Sequence, residues 1–174
     1  SYVADSDYVD KTGLIGLINK TIGTKNKLTC ISRPRRFGKT YAAKMLTAYY
    51  DCTCDSHKLF DRRNISRTKD YTTFLNQFNV ICFDVTTFIL KAQQKKVPLC
   101  DIPNLISEEI HKELVNLEPR WEPNGSAEES LLRCVDAQNG KKFIFIIDEW
   151  DVLIREAKND DVTQTRYLNL LRDS

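Results

Sequence analysis

The residues Ser32-Arg33-Pro34-Arg35-Arg36-Phe37-Gly38-Lys39-Thr40 carry the chemistry of a phosphate-binding turn. A Gly-Lys-Thr triplet that follows an apolar strand and opens a helix gathers backbone N–H groups, a helix N-terminus and an ammonium around a phosphate tail. Far down the chain, Phe143-Ile144-Phe145-Ile146-Ile147-Asp148-Glu149 supplies the complement. An apolar strand ending in Asp-Glu brings one carboxylate to a metal shell and sets a second beside it to orient water. Together the segments predict a site for ATP and Mg²⁺. Lys39 is expected on the β- and γ-phosphate oxygens, Thr40 and Asp148 on Mg²⁺, and Glu149 against the attacking water. One of Arg35 and Arg36 is expected beside the γ-phosphate. Lys39 and Glu149 are thus the expected catalytic residues, and Arg33, Pro34, Arg35, Arg36, Phe37 and Gly38 the expected lining of the nucleotide.

Arg33 stands where the pattern G-x-x-x-x-G-K-S/T has its first glycine, which weakens the motif taken alone. The flanks restore it. Lys27 to Ile31 reads as a short buried strand, and Thr40 to Tyr50 as a helix with apolar residues three and four apart. The bland alternative is a strand-to-helix turn that happens to contain Gly-Lys-Thr; the Asp-Glu strand weighs against it. Arg33, Arg35, Arg36 and Lys39 also crowd one short loop. Such a run is usually a solvated face, but here it coincides with the loop expected to meet phosphate charge.

Other elements are needed to hold these segments. Asp10 to Ile22 reads as a helix, with Leu14, Ile15, Leu17 and Ile18 on its apolar side, and Phe78 to Val85 as a second buried strand. Ile102 to Leu117 is amphipathic. Ser126-Ala127-Glu128-Glu129 is a capping box for a helix running through Ala137 and closed by Asn139-Gly140. A last helix is expected around Val162 to Leu171. Strands alternating with helices predict a parallel sheet covered on both faces.

The 174 residues, 41% hydrophobic and 29% charged, suit one domain with a sizeable core. A net charge of +2 makes no case for nucleic acid. No apolar run is long enough to span a bilayer, and no secretory signal pattern is visible. Of the six cysteines, Cys30, Cys82 and Cys134 lie in apolar patterns and are expected to pack as small hydrophobes. Cys52, Cys54 and His57 are close in sequence, but a structural zinc site normally draws on two separated pairs of ligands. Reduced thiols in a cytoplasmic protein are the simpler expectation. His111 is expected on the wet side of its helix and His57 in a loop, neither beside a nucleophile.

The loop Ser32 to Thr40, with Tyr8-Val9-Asp10-Lys11-Thr12, Cys54 to Phe60 and Ile146-Ile147-Asp148-Glu149-Trp150-Asp151, resembles the bacterial AAA-ATPase-like family. Its members carry YVDKT, RPRRFGK followed by Ser or Thr, and IDE followed by Tyr or Trp and Asp, in this order. The resemblance spans nearly the whole chain, and the unusual Arg-Pro-Arg-Arg-Phe loop makes it specific. It implies that Arg33 is normal for such a loop. It also implies a P-loop NTPase fold of three α/β/α layers with a parallel, AAA-like sheet. Residues 1–174 would be the N-terminal portion of one such domain, ending before the strand that carries the sensor residue. In that order strand 143–148 does not neighbour strand 27–32; direct pairing would indicate a kinase-like order. A segment before the first strand packs over adenine in related proteins, which makes Tyr8 and Asp10 candidate nucleotide contacts, against the alternative of a helix cap. Trp150 and Asp151 recur in the family without a role that follows from their chemistry. Some members carry a nuclease domain after the ATPase. The implied activity is Mg²⁺-dependent ATP hydrolysis. The alternatives are a slowly hydrolysing switch or scaffold coupled to a protein partner or fused nuclease and, more weakly, a phosphotransferase.

Overall fold

A computed structural model describes residues 10–25, 28–31, 38–118 and 125–173. The chain divides into two compact units, Ser1–Val80 and Ile81–Ser174. Tyr8 and Arg33 to Phe37 lie outside the described residues.

In the first unit, helix α1 (Gly13–Asn19) is shorter than the periodicity of Asp10 to Ile22 suggests. Side chains set both of its ends. The Asp10 carboxylate accepts the Thr12 N–H at 2.9 Å and the Thr12 hydroxyl at 2.6 Å, an Asx turn that competes with helix. The Thr21 hydroxyl donates to the Ile18 carbonyl at 2.8 Å and closes the other end. Asp10 and Thr12 also accept the backbone N–H groups of Asn64 and Ile65, so α1 starts against the 3₁₀ turn Asn64–Arg67.

Helix α2 (Lys39–Tyr50) buries Met45, Leu46, Tyr49 and Tyr50, a stripe of helical spacing. Tyr49 meets Tyr50 and Phe60 edge to face, with ring centroids 5.0 and 5.3 Å apart, the arrangement aromatic quadrupoles favour. Phe60 comes from α3 (His57–Phe60), and α4 (Tyr71–Phe74) adds Tyr71. The buried phenols keep partners: Tyr49 donates to the Tyr71 carbonyl, Tyr50 to Asn19 Oδ1 and Tyr71 to Asp61. Beyond α2 the chain runs parallel to residues 76–78. The Asn76 N–H donates to Tyr49 O, Phe78 N–H to Tyr50 O and Cys52 N–H to Phe78 O, at 2.8 to 3.0 Å. Asn76 adopts φ 56°, a left-handed conformation that Asn tolerates. Its side chain accepts from Ser56 N–H at 2.9 Å and donates to Asp51 O at 2.6 Å.

The strand expected at Lys27 to Ile31 is not formed over Leu28 to Ile31. These residues carry no regular structure, Leu28 is 65% exposed, and Cys30 is exposed rather than packed. A buried strand needs a neighbour's ladder, and none pairs with them among the described residues.

In the second unit, strands β1 (Asn79–Asp84) and β2 (Phe143–Asp148) form a two-stranded parallel sheet within a mixed α/β fold. Between them come α5 (Val85–Lys95), α6 (Ile102–Leu117) and α7 (Ala127–Ala137); α8 (Val152–Glu156) and α9 (Asp161–Asp173) follow. Ile102, Ile106, Ile110 and Leu114, four residues apart on α6, are all at most 1% exposed and form the centre of the core. Phe143, Phe145 and Ile147 pack on that core from one face of β2. The expected capping box is present: Ser126 accepts the Glu129 N–H, and Glu129 accepts the Ser126 N–H. Alternation along β1 buries Ile81 and exposes Cys82, so Cys82 does not pack as expected, whereas Cys134 on α7 is fully buried. His111 does not face solvent alone. Its Nε2 lies 3.1 Å from the hydroxyl of fully buried Ser130, joining α6 to α7.

Replacing Asn76 by Gly keeps the left-handed backbone accessible and removes only the side-chain hydrogen bonds. Urea denaturation of Asn76→Gly is expected to show a loss of about 1–3 kcal/mol. Unchanged stability would remove Asn76 from the joint between the end of α2 and residues 76–78.

Candidate functional site

Two groups of candidate residues stand in the two units. In the first, Gly38 is the N-cap of α2, with φ 80° and ψ 31°. Only glycine enters that region without steric cost, so Gly38 allows the chain to turn sharply into the helix. It has no side chain to accept the first-turn N–H groups, which helices otherwise satisfy with a capping oxygen. Lys39 is the first helical residue and half-buried, and Thr40 follows, exposed. The turn thus presents a helix N-terminus and a cation, the setting anions favour. A Cβ at Gly38 would lie 3.5 Å from Lys11 Nζ, so a second ammonium sits over this glycine.

Asp10 is occupied by the start of α1. Burial raises its pKa, but the Thr12 hydroxyl, the Asn64 and Thr12 N–H groups and Arg63 together outweigh it and hold the carboxyl below the ordinary aspartate value.

In the second unit, Asp148 ends β2 and Asp84 ends β1, both at the carboxyl edge of the parallel sheet. Open α/β sheets bind ligands at that edge. Asp84 is taken up as the N-cap of α5, accepting Thr86 N–H at 2.8 Å. Asp148 Oδ1 accepts the Glu149 N–H at 3.0 Å. Glu149 adopts φ 50°, a left-handed conformation uncommon for a residue with a Cβ. Its carboxylate lies 3.7 Å from Arg155 Nη2, while Arg155 Nη1 is 3.3 Å from Asp151. Asp151 therefore has a visible task, holding Arg155 one helical turn away. The Trp150 carbonyl accepts from the Tyr167 hydroxyl at 2.8 Å, which ties the chain after β2 to α9. Burial, with the Asp151 charge added, pushes the Tyr167 phenol far above its usual range. A cleft of about 260 Å³ between β1, α5 and α6 includes neither Asp148 nor Glu149.

A family model described as a predicted AAA-ATPase matches residues 3–174. The chain belongs to the AAA-ATPase-like family. No curated protein and no solved structure matches it at a significant level. Family membership carries nucleotide binding as the general activity of this AAA-ATPase-like chain. Among the described residues no helix is long and apolar enough to cross a membrane, and no group of three or more His, Cys, Asp or Glu residues could hold a metal ion. Sequence reasoning missed Arg155. An Arg six residues after an Asp-Glu pair has no meaning until a left-handed Glu149 and a helical turn bring the two side chains together.

The backbone at Glu149 yields one test. A left-handed non-glycine residue costs about 1–2 kcal/mol, more than a half-exposed ion pair usually returns. Glu149→Gly is expected to match or exceed the wild type in thermal stability, by up to about 1 kcal/mol. A clear loss of stability would show that the Arg155 pair outweighs the backbone.

Asp10 yields another. A carboxyl whose folded pKa is depressed contributes stability above its unfolded value, near 3.8, and loses it as pH falls through the folded value. The advantage of wild type over Asp10→Asn in denaturant is expected to be full near neutrality and to shrink below the ordinary aspartate value. A constant difference across that range would assign it to shape rather than charge.

Proposed function

We propose that this AAA-ATPase-like chain is an ATP-binding, Mg²⁺-dependent ATPase core that cleaves the β–γ phosphoanhydride bond. The observation that carries the reading is Gly38, left-handed and without a capping side chain, opening a 12-residue helix on Lys39. That geometry suits a polyphosphate, and the family match agrees with it. In this reading Lys39 binds β- and γ-phosphate oxygens. The Thr40 hydroxyl and the Asp148 carboxylate, both hard oxygen donors, would hold Mg²⁺; few protein ligands suffice, because this ion usually keeps waters and takes phosphate oxygens. When bound, Mg²⁺ neutralises charge on the transferring phosphoryl group. Glu149 accepts a hydrogen bond from the water that attacks the γ-phosphorus as the bond to ADP breaks. Arg35 or Arg36 adds positive charge nearby.

A second reading has the support of one contact. Arg155 engages the Glu149 carboxylate at 3.7 Å, and a carboxylate so engaged orients water poorly. The chain would then be a nucleotide-dependent switch that hydrolyses slowly and signals to a protein partner or a fused nuclease.

Calorimetry with ATP and single-turnover phosphate release separate the two. Lys39→Ala is expected to weaken ATP binding by tenfold or more, on the order of a charge-assisted contact. Glu149→Gln is expected to keep binding and lose about 10²-fold or more in hydrolysis. Equal ATP affinity in wild type and Lys39→Ala would overturn the site; tight binding without turnover in wild type would favour the switch.

A further inference from the structure

The last four residues of β1, Ile81-Cys82-Phe83-Asp84, belong to the second unit and have β2 as their strand neighbour on one side. Alternate residues of a strand direct their N–H and C=O groups to opposite edges, so half of these groups face away from β2. All four residues line the cleft of about 260 Å³, together with α5 and α6 and with no residue of β2. The cleft therefore follows the other edge of β1. Among the described residues the sheet has no third strand, and Cys82 makes no backbone hydrogen bond outside the sheet. The Asp84 carbonyl accepts the Thr87 hydroxyl at 2.7 Å, which marks where the open edge ends.

Along this edge the chemistry is divided between floor and rim. Ile81, Phe88 and Ile110 are buried and form an apolar floor. On the rim, Lys91 lies over the Phe88 ring and 3.6 Å from Glu109, which also meets Lys112 at 3.6 Å. Glu113, one helical turn further along α6, is exposed and makes no ion pair among the described residues. With Asp84 the lining holds three carboxylates against one ammonium, so it attracts a basic segment and repels an acidic one. Size narrows the ligand class as well. Small-molecule pockets usually run from about 300 to 1,000 Å³, and this cleft falls below that range. It suits one apolar side chain with the backbone that carries it.

We propose that the open edge of β1 is a docking site for an extended, basic segment of a partner protein, which joins the sheet as an added strand. Backbone hydrogen bonds to β1 supply the affinity, and alternate side chains supply the selection. One apolar side chain rests on Ile81, Phe88 and Ile110, and Lys or Arg residues two positions away, on the same face, meet Glu109 and Glu113. The seat shares no residue with the proposed nucleotide site.

The test uses the full chain and a labelled Thr-Lys-Thr-Val-Thr-Lys-Thr peptide, which places Lys, Val and Lys on one face of a strand. Fluorescence anisotropy is expected to saturate at or below about 1 mM, and the counterpart with Glu for Lys to bind at least about tenfold more weakly. N-methyl groups on one alternate set of peptide amides are expected to abolish binding, and those on the other set to leave it within about threefold. Amide hydrogen exchange at residues 81–84 is expected to slow when the peptide binds. Glu113→Lys is expected to reverse the preference between the Lys and Glu peptides at an unchanged melting temperature. Absence of saturation, or equal binding of the Lys and Glu peptides, would overturn the proposal. So would equal effects of both methylated sets, which would mean charge attraction without strand pairing. A dimer of the free chain in sedimentation, dissociated by Glu113→Lys, would assign the edge to a second copy and overturn it too.

Discussion

No α-helix can satisfy the carbonyls of its own last turn, and the first unit is organised around how α2 meets that deficit. The Tyr49 and Tyr50 carbonyls accept the N–H groups of Asn76 and Phe78, and the Cys52 N–H returns a bond to Phe78. The helix end is thus stitched to residues 76–78 of the same unit. Tyr49 and Tyr50 place their rings in the aromatic cluster at the same point, so polar and apolar constraints coincide. With its C-terminal end fixed, α2 has one defined direction. The position of Gly38 and Lys39 follows from that direction.

Both groups of candidate residues depend on a left-handed residue. Gly38 reaches this conformation without cost and lets Lys39 begin a helix immediately after a sharp turn. Glu149 reaches it at a cost, held by the Asp148 carboxylate on its N–H and by its own carbonyl accepting the Val152 N–H at 3.0 Å. The strand therefore ends abruptly after Asp148, and the following chain folds back into α8. Strain of this kind gathers at functional sites because the surrounding structure can hold a residue where its own preference would not.

The elements legible in the sequence are those whose signals are local and redundant. Helix α6 carries apolar residues at every fourth position with Pro103 in its first turn, and α7 has a complete capping box. Strands β1 and β2 are short apolar runs ending in Asp. Helix α5 gave no such signal. Its Val-Thr-Thr-Phe-Ile opening is rich in β-branched residues, and Lys96 rather than Gly closes it in the left-handed region at φ 53°. The apolar run Leu28 to Ile31 looked like a strand because periodicity cannot report whether a neighbouring strand is present. His111 is part-buried rather than fully solvated because its partner, Ser130, belongs to another helix. The same limit separates the candidate site residues. Lys39, Thr40, Asp148 and Glu149 stand in contiguous motifs, whereas Arg155 gains meaning only through contacts made by folding.

The cysteines range widely in exposure, with Cys52 and Cys100 half-buried between the extremes. Cys30, Cys54 and Cys82 are open to solvent, while Cys134 is sealed in the core, where burial and the nearby Glu118 charge push its thiol further from the reactive thiolate. Three reachable sulfurs on one chain are enough to link molecules into a branching network once an oxidant is present, since each chain can then join more than two others. Handled in air, the protein would lose material to covalent polymers, and a maintained thiol reductant would preserve it.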